Sequence, residues 1–109
     1  MGHSNKYFAF ISHNQHDTAK EEINSRMAFA REVIDKAMSD REALLRDRSY
    51  AERILALCLE MVDEYITRQA TDDALRCLQL ALTVQTSLYG ETSDQAVATK
   101  QRIEKLSNL

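Results

Sequence analysis

Histidine, cysteine and paired carboxylates are the side chains from which this chain would have to build a reaction. His13 and His16 stand three apart and can share one helical face, with His3 upstream, so a metal site is the first chemistry to weigh. A tetrahedral site needs more ligands than these. Cys58 and Cys77 lie elsewhere, inside apolar helical patterns where a free thiol acts as a small hydrophobe. The histidines read as solvated, and neither a metal nor a cofactor is expected. A nucleophilic Cys58 would need accessible, electropositive surroundings, but it sits in the apolar run Ile54–Leu59. Asp72 and Asp73 could form an acid–base pair; at the start of a helix they read instead as caps that complement its dipole. Glu21 and Glu22 read as a solvated face. The only glycines, Gly2 and Gly90, leave no phosphate-cradling loop, and no Ser-His-Asp arrangement can be named. The chain is expected not to be an enzyme.

The arginines suggest binding rather than reaction. Arg46, Arg48 and Arg53, with Arg41, cluster around one corner and could fork onto the carboxylates of an acidic peptide. They alternate with Asp40, Glu42, Asp47 and Glu52, so pairing along a helix surface is the simpler account. The net charge is −3 with acids and bases interspersed, which argues against a nucleic-acid partner. The run Ile54–Leu59 is too short to cross a bilayer, so no membrane association is expected. Met1–Phe10 lacks the basic start and apolar stretch of a secretory signal. With two cysteines in apolar patterns, a reducing, cytoplasmic compartment is expected.

The elements that must carry these residues are helices. A chain of 109 residues without proline and with one internal glycine has little with which to make hairpins, so an all-α fold is expected. Ile23, Met27, Ala30, Ile34, Ala37 and Met38 recur at three- and four-residue steps and predict one helix over Thr18–Arg46, bent near Ser39. Ser39 with Glu42 spells a capping box that would split it, and Ser49 with Glu52 spells another. Tyr50–Arg68 carries the widest apolar stripe, with Ile54, Leu55, Cys58, Met61, Val62, Tyr65 and Ile66, and is expected to pack on two sides. Thr71 is read as the N-cap of a helix running to Tyr89, with Leu75, Leu78, Ala81, Leu82 and Leu88 inward and Gly90 ending it in the left-handed conformation. Ser93 is read as the cap of a last helix, Asp94–Leu106, with Val97, Ile103 and Leu106 inward.

The helical pattern occurs twice, 44 positions apart. Ala30 falls on Ala74, Ile34 on Leu78, Ala37 on Ala81, Met38 on Leu82 and Leu45 on Tyr89. A period of this size is typical of stacked helical hairpins. The hairpin Tyr50–Tyr89 resembles a tetratricopeptide repeat (TPR). Cys58, Met61, Val62 and Tyr65 take its first-helix pattern, and Ala74, Leu78 and Ala81 its second, nine residues beyond Tyr65. The corner Leu88-Tyr89-Gly90-Glu91 is similar to that of the kinesin-light-chain-type repeat, so the resemblance extends over Tyr50–Leu106. It implies antiparallel helical hairpins in a TPR-like array of about four helices, and a surface for protein binding.

Residues 1–12 read as an N-terminal segment and 13–109 as a single helical-repeat domain. Lys6–Ile11, continued to Asp17, resembles the opening strand and loop of a TIR domain. The rest of that domain has no counterpart in this sequence, so the match is read as a remnant or a coincidence. The dense apolar cluster Tyr7, Phe8, Phe10 and Ile11 is expected to fold back or to dock on another chain. The functional expectation is a protein–protein interaction module, an adaptor or chaperone that binds a peptide or partner helix. The alternatives are a self-assembling homo-oligomeric bundle and a fragment of a TIR-containing signalling protein.

Overall fold

A computed structural model describes the backbone of residues 2–108 and the side chains of residues 21–108. The fold is all-α. Five helices follow one another: α1 (Gly2–Ser39), α2 (Arg41–Arg46), α3 (Arg48–Thr67), α4 (Thr71–Tyr89) and α5 (Asp94–Ser107). The helix expected over Thr18–Arg46 is therefore two, one more element than the sequence suggests. Asp40 makes the break. It leaves helical geometry at φ −135°, and its carboxylate accepts from the Ala43 N–H at 3.2 Å. Asp47 repeats the device, accepting from the Tyr50 N–H at 3.1 Å, so it caps α3 and the expected cap Ser49 lies inside the helix. An aspartate at each junction satisfies one orphan amide of the helix that follows. In the second copy Val84 stands where Asp40 stands in the first; it is apolar and buried, and α4 continues unbroken.

The corner between α3 and α4 is closed by the backbone alone. The Ala70 N–H donates to the Tyr65 carbonyl at 2.8 Å and the Gln69 N–H to the Ile66 carbonyl at 3.0 Å, a Schellman pair, with Gln69 at φ 61°. This motif consumes the residues on which a side-chain cap would sit. Ala70 takes the N-cap position of α4 with no side-chain acceptor, and Thr71, expected to cap, is the first helical residue. Gln69 carries the cost of a left-handed L-residue. Gln69→Gly is therefore expected to raise stability by about 0.5–1 kcal/mol, seen as a higher melting temperature. A lower one would show that the glutamine side chain holds the corner.

Gly90 ends α4 as expected, but at φ 100° and ψ 154° rather than in the left-handed helical region; this conformation too is open essentially only to glycine. Ser93 caps α5, its hydroxyl accepting from the Ala96 N–H at 3.2 Å.

Packing follows the two copies. Ala30, Ile34 and Ala37 are buried on α1 as Ala74, Leu78 and Ala81 are on α4, while Leu45 and Tyr89 both lie outside. Small residues let the helices approach closely; Met61, Val62, Tyr65 and Leu80 fill the space between them. The α3–α4 hairpin has the most extensive interface. α1 and α2 lie against α3, α1 also touches α4, and α5 packs on α4. α3 thus packs on two sides as expected, although Ile66, read as part of its inward stripe, is exposed. Val97, also expected inward, is 42% exposed. With α5 started by Ser93, positions Ala96, Thr99, Ile103 and Leu106 turn towards the rest of the fold and Val97 turns out.

The buried face of α5 includes a polar contact that apolar spacing did not reveal. The Thr99 hydroxyl donates to Gln85 Oε1 at 2.6 Å, with both residues buried. Thr99→Val would leave that oxygen in a dry interface without its donor, and should cost about 1–3 kcal/mol in chemical denaturation. A loss within experimental error would show that water reaches the α4–α5 seam.

Candidate interaction surface

α1 is fastened to the hairpin by a few specific contacts. The Tyr65 hydroxyl donates to the Met27 carbonyl at 2.9 Å. Arg31 meets Asp73 at 2.6 Å, Arg76 pairs with Asp35, and Arg26 reaches Glu60 at 3.2 Å. Asp73, legible in the sequence only as a first-turn acid, also bridges α4 to α1. Its hydrogen bond and charge hold the Arg31 guanidinium still more firmly protonated than usual.

These ties set α1 beside α3 but leave a groove between them. Ile54 forms its buried floor; Val33, Tyr50 and Leu57 are half-buried; Phe29 stands at its edge, 65% exposed. The groove encloses about 250 Å³. Phe29 was missed in the sequence because it lies one position off the stripe that holds Ala30. Its signal was a bulky aromatic beside the face of a helix rather than on it.

Arg53 is the charged residue lining this groove. Its Nε donates to the Ser49 carbonyl at 3.4 Å, and no carboxylate pairs with it among the described residues. Arg46 and Arg48 do not line the groove. Arg46 lies 3.6 Å from Glu42, and Arg48 Nε 3.1 Å from Glu52, as one-turn ion pairs in solvent. Such pairs contribute little to stability. Of the four arginines singled out by the sequence, the structure brings only Arg53 to the groove. The backbone of Tyr7, Phe8, Phe10 and Ile11 is helical as part of α1 rather than a strand, and α1 runs without a break past residue 12. Their side chains, like those of His3, His13 and His16, lie outside the described residues.

A second groove of about 270 Å³ opens between the end of α3 and α5, lined by Ile66, Arg102, Lys105 and Leu106. Arg102 pairs there with Asp63 at 3.0 Å.

Cys58 and Cys77 are free and buried between α3 and α4. The neighbouring Cys77 thiol, together with burial, pushes the Cys58 thiol up from its ordinary value. It stays protonated where a thiolate would be needed for attack. Because both thiols are buried, both should react with a polar thiol reagent only as fast as the protein opens. Rapid labelling of folded protein near neutral pH would contradict this burial.

Among the described residues, no group of three or more histidine, cysteine, aspartate or glutamate side chains is placed to hold a metal, and no helix is long and apolar enough to cross a membrane. No protein-family model, curated protein or solved structure matches this chain.

Proposed function

We propose that this chain is a non-enzymatic protein–protein interaction module, TPR-like in its use of stacked hairpins, that receives a peptide or partner helix in the α1–α3 groove. The observation that carries this reading is the exposure of Phe29 beside an apolar floor. A large apolar residue clustered with others at a concave edge marks a binding surface more often than a lone exposed one does. Two roughly parallel ridges with an apolar trough between them suit a helix that presents anchors one turn apart. Arg53 at the rim would favour an acidic residue beside those anchors.

The self-assembling bundle is supported by a different observation, a second apolar groove at the far end of α3 beside Ile66. Buried, unpaired thiols fit a cytoplasmic setting.

A displayed library of helical peptides tests the leading reading. Peptides with apolar residues at one-turn spacing should enrich on the native protein and not on Phe29→Lys. Phe29→Lys lies at an exposed site and should keep its melting temperature. Equal enrichment on both proteins, or none on either, would count against the groove.

A further inference from the structure

We propose that the α1–α3 groove is filled by the aromatic stretch Tyr7–Ile11 of a second copy of this chain, with the two α1 helices lying antiparallel. The proposal deepens the interaction-module reading by naming a partner, and it rests on that reading for the groove itself. Two apolar sets of residues in this chain bear on the occupant. One is the groove edged by Phe29 and Val33. The other is the sequence cluster in which Tyr7, Phe10 and Ile11 fall on one side of a helix.

The continuity of α1 decides how they can meet. Phe10 and Phe29 belong to the same helix and are 19 residues apart. At 1.5 Å per residue that places them about 28 Å from one another along a single rod. An unbroken helix cannot bend its first turns back onto its own later turns. Another copy has no such restriction. When two α1 helices run antiparallel about a two-fold axis near Lys20, Phe10 of each copy comes level with Phe29 and Ala30 of the other. Both grooves are then filled at once, as a self-complementary dimer requires. Most of the stretch between the two contact zones, Ser12–Glu22, is polar apart from Ala19, so the copies meet at two separated apolar patches.

The test uses the full chain with a photo-crosslinking benzoylphenylalanine in place of Phe10. Equal amounts of isotopically heavy and light protein are mixed before irradiation. The expected product is a covalent dimer in which heavy and light copies are joined, with position 10 linked to Phe29–Val33 or Tyr50–Leu57. In sedimentation equilibrium the native chain should dimerise in the micromolar range, and Phe29→Lys should weaken the dimer by about tenfold or more while keeping the parent's helix content in dilute solution, where both are monomers. Crosslinks confined to one copy would show the N-terminal stretch folding back, and would overturn the proposal. So would a monomer at high micromolar concentration, or a dimer insensitive to Phe29→Lys. A monomer whose groove still selects helical peptides removes the second copy alone; a dimer crosslinked through the groove supports this assignment whatever the peptide screen returns.

Discussion

Ala81→Arg is expected to leave the chain largely unfolded at room temperature. Ala81 has no exposed surface and lies in a core shared with Leu78 and Val84. Two costs combine. A long side chain forced into a packed crossing typically costs about 1–3 kcal/mol in displaced neighbours. A guanidinium left there without a carboxylate costs several more, on the order of 3–5 kcal/mol when a buried charge has no partner. A small domain holds about 5–15 kcal/mol in total, and one of this size belongs near the lower end. Far-ultraviolet circular dichroism should show most of the helix lost. Gln79→Arg, at an exposed position on the same helix, should change stability by no more than about 0.5 kcal/mol. A native-like melt for Ala81→Arg would place Ala81 on the surface and break the match between the two copies of the repeat.

The repeat was legible because its information is local. A small residue on the inner face of a helix appears in the sequence as alanine at seven-residue spacing, and Ala30, Ala37, Ala74 and Ala81 are all buried. Helix ends were less legible because several residue types compete for each cap. Asp40 and Asp47 took positions that Ser39 and Ser49 were expected to define, and the Schellman corner made a side-chain cap before Thr71 unnecessary. Rotation about a helix axis was the least legible feature. Val97 and Ala96 are neighbours, and only the start of α5 at Ser93 and its packing on α4 decide which of them faces in. The groove belongs to this last class. Phe29 is recognisable as part of a surface only once α1 has been placed beside α3, and that placement depends on Tyr65 and on ion pairs between residues about 40 apart in sequence.

Tyr65→Ala should produce the second-largest loss, and one with a definite location. Tyr65 is the largest of the fully buried side chains, and its hydroxyl is the tie from α3 to the Met27 carbonyl of α1. Removing a buried aromatic ring leaves a cavity and typically costs about 3–5 kcal/mol. Tyr65→Phe keeps the ring and removes only the hydroxyl. It should cost about 0.5–1.5 kcal/mol, because the Met27 carbonyl lies inside a helix and retains an amide donor. The two variants should differ in where the structure loosens. α1 touches the hairpin over a smaller interface than the one α3 and α4 share, so it is the element free to detach first. In native-state hydrogen exchange, Tyr65→Phe should lower protection in α1 around Met27–Ile34 while α4 and α5 remain as protected as in the parent. Tyr65→Ala should lower protection in the hairpin as well, since the cavity lies in the shared core. Uniform loss across all helices in Tyr65→Phe would mean that α1 and the hairpin open as one unit. The groove between α1 and α3 would then be a rigid feature of the fold, and its occupant would have to fit it without any movement of α1.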